Sequence, residues 1–489
     1  MDRQKSLLVA GIDSSTQSCK VQIVDALTGK IVRSGSAKHP DGSQIHPKFW
    51  IDALQEALEE AGGIDDIAAL SVAGQQHGLV CLDEEGSVIR PALLWNETLS
   101  APAAKELVDE KGAAWWAKEV GIVPVSSFTV SKLRNLANTE PENVKKIKAI
   151  CLPHDYISWR LQGCGSVYDN LEPDFSKLFT DRSDASGTGY FDSVKNVYRK
   201  DILDFALKGL MNADEIILPK IVMKGDAAGG VSPAWTKTEE VLLGAGAGDN
   251  AAGAFGLHLE KNEISLSLGT SGTVCTILEN QINDPTGLAA GFADLTGRFL
   301  PLVCTLNCAK VLDTVRNLLD VSYEEMDLLA NAAAEGSSDL TLIPYFDGER
   351  TPNRPNAKGS LLQITNENLT RENIARSTIE GILLSQKDGV QALNQYMTNL
   401  DVIKMIGGVT KQKSIGKMAP SILGAKVILP ESAEFVALGA ARQAAWVATQ
   451  NQDPPVWVVN KNVIYDGELN KKLINRYDYL KRNKSIEEE

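Results

Sequence analysis

One short pattern occurs twice in the chain and limits the folds that the chain can adopt. Residues 7–25 and 263–278 each contain an apolar strand, a turn rich in hydroxyl groups, and a returning strand. A second hairpin turn follows each copy, at residues 28–30 and 296–298. Two half-chains that begin alike predict two like domains, and the alternation of strands and helices along each half predicts the α/β class.

A stretch of glycine and alanine at residues 244–256 holds a single acidic residue, Asp249. Residues 239–243 before it predict a short strand and residues 251–257 predict a helix, so Asp249 falls at a strand-to-helix corner. Glycine permits positive φ and lets a ligand or a second domain approach closely. We therefore interpret Asp249 as an accessible catalytic carboxylate, and the alternative is a helix cap in a turn between domains.

The turn after the first strand has the composition of a phosphate-binding loop. Backbone N–H groups and the hydroxyls of Ser15, Thr16 and Ser18 can donate hydrogen bonds to phosphate oxygens. Asp13, just before the turn, would hold a magnesium ion or its water. Many β-hairpins carry such turns, so this motif alone leaves the function open.

Polar or glycine-rich residues follow two further predicted strands. Gln76 and His77 come after the apolar run at residues 68–73, and ligands bind at the carboxyl ends of strands in α/β sheets. Neutral groups of this kind suit the hydroxyls of an uncharged substrate, although a solvated turn is the alternative. Gly407 and Gly408 follow the other predicted strand, at residues 402–406. The base or ribose of a nucleotide could bind there, and the alternative is a simple turn from the strand into a helix.

Composition narrows the possible partners and the compartment. The net charge of −14 argues against a nucleic-acid partner, because phosphate backbones bind basic surfaces. The first residues contain only a brief apolar run, which predicts neither a signal peptide nor a membrane span, so we expect a cytoplasmic protein. The seven cysteines predict reduced thiols in the core, and Cys304 with Cys308 lacks the neighbours of a zinc site.

Several motifs, taken in order, resemble those of the FGGY carbohydrate kinases. They are GIDSST, AGQQHG, LLWNET, SDASGT, GAGAGDNAAGAFG, SLGTSGT, GERTPN, IGG and ALGAARQAA. The resemblance runs from Gly11 to about Trp446 and is greatest to the branch that phosphorylates D-xylulose. Three positions depart from the family pattern: Asn135 replaces a tryptophan, and Gln363 and Val409 each replace a glycine.

The resemblance implies an α/β fold of two actin-like, ribonuclease H-like ATPase domains with a cleft between them. We place a sugar-binding domain with the first phosphate loop at residues 1–243, and a nucleotide-binding domain that begins with the catalytic base at residues 244–489. The implied site has Asp249 as general base, Asp13 beside Mg²⁺ and the phosphates of ATP, and three sugar contacts, Gln76, His77 and Asn250. The implied ATP-binding residues are Thr16, Gln17, Ser18, Gly269, Thr270, Gly407 and Gly408.

The predicted function is transfer of the γ-phosphoryl group of ATP to the 5-hydroxyl of D-xylulose. Gln76 and His77, in place of the arginine–glutamate pair of glycerol kinases, favour a pentulose; L-ribulose or another ketose or polyol remains an alternative. The expected partner is a small sugar, a homodimer is one expected assembly, and neither nucleic acid nor membrane is expected to bind.

Two other classes of protein also fit parts of the sequence. Residues 246–251 match a dinucleotide-binding fingerprint, but Glu260 and Glu263 lie closer than the spacing of about 20 residues that a ribose-binding acid needs. The other class is an actin-like ATPase without a sugar acceptor. Gln76, His77 and Asp249 favour a small hydroxylated acceptor over that class.

Overall fold

The computed structural model describes residues 6–238, 240–457 and 462–483. Two seven-stranded mixed sheets dominate the described part of the chain. Helices pack against both sheets, which confirms the predicted α/β class and the two-domain architecture. Glu239, with which the predicted strand before Asp249 starts, lies outside the described residues.

The first sheet is built mainly from the first half of the chain. In spatial order its strands are Ala227–Gly230, Leu242–Gly244, Ile67–Gly74, Leu8–Ser14, Ser18–Asp25 and Ile31–Lys38, with Ala247–Gly248 paired to the end of Ile67–Gly74. Leu8–Ser14 pairs antiparallel with Ser18–Asp25 and parallel with Ile67–Gly74. Its apolar run is buried because it lies at the centre of the sheet with helices on both faces.

The second sheet repeats this order of strands. Its strands are Ala289–Ala293, Phe299–Thr305, Gly272–Thr276, Glu263–Leu268, Val402–Ile406, Lys426–Pro430 and Asn462–Tyr465. Glu263–Leu268 pairs antiparallel with Gly272–Thr276 and parallel with Val402–Ile406, just as the first strand pairs in the first sheet. The internal repeat predicted from the hairpins is therefore a repeat of sheet topology.

The helices and the small sheets cover and connect these two layers. The α-helices are Lys48–Glu60, Ala101–Lys111, Ala113–Val120, Thr129–Thr139, Pro141–Val144, Pro153–Leu161, Arg182–Ala185, Lys200–Ala206, Asp249–Gly256, Ala309–Leu319, Tyr323–Ala332, Arg371–Asn394, Lys413–Leu423, Phe435–Thr449 and Lys471–Asn483. The two-stranded sheets join Gln44–Ile45 to Ala92–Leu93, Val80–Leu82 to Ala149–Cys151, Phe179–Thr180 to Lys220–Ile221, Phe191–Asp192 to Val197–Tyr198, and Thr341–Ile343 to Ser360–Leu362. Among the helices of the described ranges, none has the length and apolar character needed to cross a bilayer.

Helix Phe435–Thr449 comes late in the chain but packs against the first sheet. Its close approach requires small residues: a Cβ on Gly11 would lie 1.9 Å from the carbonyl oxygen of Ala437, and one on Gly439 would lie 1.8 Å from that of Ala252. The helix also contacts Asp249–Gly256, so it joins the first sheet to the helix that begins at Asp249. The domain boundary at residue 244 stays a prediction.

Candidate active site

A cavity of about 260 Å³ lies between the two halves of the molecule. It is lined by Thr16, Gln76 and His77 from the first half and by Asp249 and Asn250 from the start of the second. A larger cavity of about 440 Å³, beside Asp388, contains none of the predicted site residues. The smaller cavity is therefore the candidate active site.

Asp249 lies at the strand-to-helix corner that the sequence predicts. Strand Ala247–Gly248 pairs with Ala73 and Gly74, and the next residue, Asp249, begins helix Asp249–Gly256. Gly248 occupies the N-cap position, so Asp249 is not the helix cap that the alternative interpretation required. Its Oδ1 accepts hydrogen bonds from the backbone N–H of Asn250 at 2.8 Å and from Asn250 Nδ2 at 2.9 Å.

The surroundings of Asp249 prepare its carboxylate to accept a proton. Burial raises its pKa from 3.8 to about 7, with further contributions from the negative charges of Asp13 and Asp184. The side chain nevertheless lines the cavity and is only partly buried. A carboxylate with a pKa near neutrality has the properties of a general base.

Asp13 lies one residue before the end of strand Leu8–Ser14 and is buried. Its Oδ1 accepts a hydrogen bond from Ser15 Oγ at 2.5 Å. Burial raises its pKa to about 6, although the Ser15 hydrogen bond and the charge of Lys20 lower it and Glu434 raises it. Two carboxylates, Asp13 and Asp249, that interact through their charges form a set of hard oxygen donors suited to Mg²⁺.

Gln76 and His77 follow the end of strand Ile67–Gly74. Gln76 Oε1 accepts a hydrogen bond from Asn250 Nδ2 at 3.0 Å, which ties the predicted sugar contacts of the two halves together. The His77 backbone has a φ of 69°, and its carbonyl oxygen accepts a hydrogen bond from Lys132 Nζ at 2.6 Å. These bonds fix the two neighbouring side chains at the cavity wall.

The ring of His77 stays neutral in this setting. Its pKa lies well below the usual value because the ring is buried and because Lys132 and Arg350 carry nearby positive charges. The ring packs against Phe128 and Phe292, with ring centroids 4.9 and 5.4 Å away. A neutral imidazole between two aromatic rings presents hydrogen-bonding groups without a charge, as the sequence predicts for an uncharged substrate.

The first predicted ATP loop reaches the cavity through Thr16. Thr16 Oγ1 accepts a hydrogen bond from Trp95 Nε1 at 2.7 Å and lines the cavity. Gln17 and Ser18 do not line it; their carbonyl oxygens accept hydrogen bonds from the N–H groups of His39 and Ser15, at 2.8 and 3.1 Å. The bond from Ser15 closes the turn between its two strands, and the bond from His39 ties the turn to the end of strand Ile31–Lys38.

The second and third predicted ATP loops lie against each other. A Cβ on Gly407, where φ is 99°, would lie only 2.4 Å from the carbonyl oxygen of Leu268. Gly269, the residue after Leu268, donates its N–H to the Ser271 carbonyl at 3.1 Å and accepts a bond from the Ala309 N–H at 3.0 Å. Gly269, Thr270, Gly407 and Gly408 lie outside the cavity lining, and Ser271 lines it.

Four groups at or near the site received no role from the sequence. Arg350 lines the cavity, and Lys132 binds the His77 carbonyl. His154 and Asp184 form a buried pair behind Asp249. Arg350 and Asp184 lie within the GERTPN and SDASGT motifs, so the sequence did mark these two positions. No motif indicated which groups they contact.

Comparison with known proteins places this geometry in a family. Residues 8–256 match the N-terminal domain of the FGGY family of carbohydrate kinases, and residues 264–448 match its C-terminal domain. The chain is 41% identical over 458 residues to a xylulose kinase of Streptomyces coelicolor, a match that covers 92% of this chain and 90% of that protein.

Solved structures give the same result for the fold. The crystal structure of xylulose kinase from Bifidobacterium adolescentis superposes with a TM-score of 0.91 at 45% sequence identity, covering 97% of this chain and 99% of that one. A Plasmodium falciparum glycerol kinase with ADP superposes with a TM-score of 0.85 at 18% identity, covering 99% of both chains. The second likeness is one of fold alone, so the fold does not decide which hydroxyl compound is bound.

Proposed function

This chain belongs to the FGGY family of carbohydrate kinases, and from that premise we propose that it transfers the γ-phosphoryl group of ATP to the 5-hydroxyl of D-xylulose. The relatives named xylulose kinase support the choice of sugar. The observation that carries the proposal is a cavity in which a carboxylate of raised pKa, Asp249, stands beside neutral Gln76 and His77.

Asp249 is assigned the proton of the sugar hydroxyl. Both hydrogen bonds from Asn250 fall on Oδ1, so we assign Oδ2 to the substrate. Phosphoryl transfer passes through a loose transition state, which the protein assists by aligning the groups and compensating their charge rather than by covalent chemistry. A base already placed at the cavity wall meets the first requirement.

Gln76, His77 and Asn250 are assigned the other hydroxyls and the carbonyl of the sugar. The Gln76–Asn250 hydrogen bond keeps two amide groups at fixed positions, and Lys132 holds the backbone of His77. Neutral donors and acceptors bind hydroxyls without the desolvation cost of an unpaired charge. This arrangement favours a ketose over an anionic sugar acid.

Asp13 is assigned to Mg²⁺, directly or through a water. Bound there, Mg²⁺ would supply positive charge to the phosphate oxygens of ATP. Burial raises the pKa of Asp13, so a divalent cation would stabilise its ionised form and would offset the repulsion between its charge and that of Asp249. We assign the binding of ATP to the loops that contain Thr16, Gly269 and Gly407, and we assign residues 244–489 as the nucleotide-binding domain.

The test measures ADP release with ATP and Mg²⁺ across D-xylulose, L-ribulose, L-xylulose, glycerol and gluconate. D-xylulose should give the highest kcat/KM, and ³¹P NMR should place the phosphate on the 5-oxygen. Asp249→Asn should lose turnover, while Asp41→Asn, which changes an exposed carboxylate, should keep it. Faster turnover of another sugar would overturn the D-xylulose assignment, and ATP hydrolysis that no sugar stimulates would favour an actin-like ATPase.

A further inference from the structure

Three fully buried ionisable residues form a cluster behind the predicted base. His154 lies in helix Pro153–Leu161 with Asp155, and Asp184 lies in the short helix Arg182–Ala185. His154 Nδ1 is 2.6 Å from Asp184 Oδ2, and its Nε2 is 3.2 Å from Asp155 Oδ1. The imidazole is thus hydrogen-bonded to Asp184 and lies at ion-pair distance from Asp155, without a hydrogen bond between that second pair of atoms.

The charges of the cluster favour an imidazolium. Burial lowers the pKa of His154, but Asp155, Asp184 and Asp181 together raise it to about 9. Burial also raises the pKa of both carboxyl groups that the ring contacts. Without the cation, these acids would be buried beside each other with no opposite charge, which is strongly unfavourable.

A zinc ion does not fit between His154 Nδ1 and Asp184 Oδ2 as these atoms stand. Zinc requires its ligand atoms at about 2.0–2.2 Å, which puts ligand atoms on opposite sides of the ion well over 3 Å apart. The 2.6 Å separation of His154 Nδ1 and Asp184 Oδ2 is that of a charge-assisted hydrogen bond. We therefore interpret the cluster as a positively charged His154 paired with two acidic residues, Asp184 and Asp155.

The His154 ring lies directly under the turn that leads to Asp249. A Cβ on Gly246, where φ is 81°, would lie 2.4 Å from His154 Cδ2, so the backbone of the turn rests on the ring. A Cβ on Gly74, at the end of the strand that precedes Gln76, would lie 2.9 Å from His154 Cβ. The same residue therefore touches the backbone before both predicted substrate-binding segments.

Neighbouring bonds hold the turn in place around the ring. Gln443 accepts a bond from the Gly246 N–H and donates one to its carbonyl, both at 2.9 Å. The Gly248 N–H donates to Ser183 Oγ at 3.2 Å, and Ser183 precedes Asp184 in the chain. The position of Asp184 is thus linked to that of strand Ala247–Gly248, one residue before the base.

We propose that His154 is a positioning residue for the kinase reaction: its imidazolium joins Asp155 to Asp184 and supports the Gly246 turn that places Asp249 against the sugar hydroxyl. The reaction itself is the one given as the proposed function, so the inference rests on that proposal. His154 touches neither substrate; it acts through the backbone that carries Asp249.

The test compares His154→Gln with the double variant His154→Gln/Asp184→Asn, using D-xylulose, ATP and Mg²⁺. His154→Gln should lower kcat about 10²-fold, the size expected for a small misplacement of a catalytic group, and leave KM for ATP within about twofold. The double variant removes, along with the cation, the acid that is hydrogen-bonded to it, and leaves only Asp155 of the two acids that the ring contacts. It should therefore regain about tenfold of the lost kcat. Asp155→Asn, which keeps the His154–Asp184 pair, should lose less than tenfold.

Leu161→Ala serves as the stability control, because this buried leucine ends the same helix, whereas the side chain of that helix nearest to Gly246 is His154. It should lower Tm and leave kcat per folded molecule unchanged. Unchanged kcat in His154→Gln, or an equal loss in Leu161→Ala at a matched fall in Tm, would overturn the positioning role. If His154→Gln does not fold, an unchanged kcat in Asp184→Asn, which removes the hydrogen-bonded partner of His154, would overturn the role as well. A wild-type enzyme inactive on D-xylulose would instead overturn the proposed function.

Discussion

The hairpins that open the two halves have the same antiparallel strand pairing, but they carry different side chains at the turn. In the first, Ser14 pairs with Cys19 at the end of the ladder, and in the second Leu268 pairs with Gly272. One residue before each end, the first hairpin has the buried carboxylate of Asp13 and the second has Ser267. The repeat therefore supplies two similar cradles, of which one carries an acid.

From this difference we infer how the two repeats would divide the proposed reaction. The carboxylate at the first turn suits a cation. The second turn is rich in glycine, and its backbone lies close to Gly407, so its N–H groups would suit phosphate oxygens. Asp249 belongs to neither hairpin; it follows strand Ala247–Gly248, which still pairs in the first sheet. The proposed base thus lies where the chain leaves one repeat for the other.

The largest expected effect comes from removing the carboxylate that neither hairpin supplies. Asp249→Asn keeps the shape of the side chain and abolishes its ability to accept a proton. We expect kcat to fall on the order of 10² to 10⁴-fold, with KM for the sugar changed only severalfold. Steady-state kinetics beside Asp41→Asn measures this, and a loss below tenfold would assign the base to another residue.

The next prediction compares the loss of the acid from the first hairpin with the loss of the hydroxyl at the corresponding position of the second. Asp13→Ser gives the first hairpin the residue of the second, and it should lower kcat/KM by about 10²-fold with a higher Mg²⁺ requirement. Ser267→Ala, at the corresponding position, should change either quantity by less than about threefold. Titration of activity with Mg²⁺ compares the two variants. Equal losses would show that the hairpins do not differ in function.

The pH profile tests whether Asp249 is ionised when it acts. Because its pKa is about 7, we expect kcat/KM to fall as pH decreases below about 7, approaching tenfold per pH unit. The measurement is kcat/KM from pH 5.5 to 8.5 at saturating Mg²⁺. A flat profile across pH 6 to 7 would mean that proton transfer to Asp249 does not limit the reaction.

The same raised pKa makes a prediction for stability. The folded protein keeps the Asp249 proton up to about pH 7, whereas the unfolded chain releases it near the ordinary value of 3.8. This group's contribution to the free energy of unfolding therefore falls as pH rises between those values. Asp249→Asn should raise Tm relative to wild type, more at pH 7 than at pH 5, and the opposite trend would contradict the raised pKa.

Local patterns predicted the repeat and the position of Asp249, because apolar runs, hydroxyl turns and glycine clusters each involve neighbouring residues. The ion pair of His154 and Asp184 spans 30 residues and forms only when two helices pack. The bond from Lys132 to the His77 carbonyl spans 55 residues and likewise depends on tertiary packing. The FGGY resemblance named candidate functional positions, but it did not indicate which buried groups support them.

Local patterns also did not predict that helix Phe435–Thr449 packs against the first sheet. This packing makes the first strands of the two sheets differ, and measurements of stability can test the difference. Gly11 lies under this helix, whereas Ser265, three residues before the end of its strand as Gly11 is, already has a Cβ. Gly11→Ala should cost about 1–3 kcal/mol of unfolding free energy through overpacking, and Ser265→Ala less than about 1 kcal/mol.

Urea unfolding of both variants measures this difference, with kcat per folded molecule as the second quantity. Because neither residue lines the cavity, we expect little change in kcat for either variant. A Gly11→Ala protein as stable as wild type would mean that the helix can move away from the first strand. The helix contacts Asp249–Gly256 as well, so such a movement would displace the base, and kcat would then fall without a loss of stability.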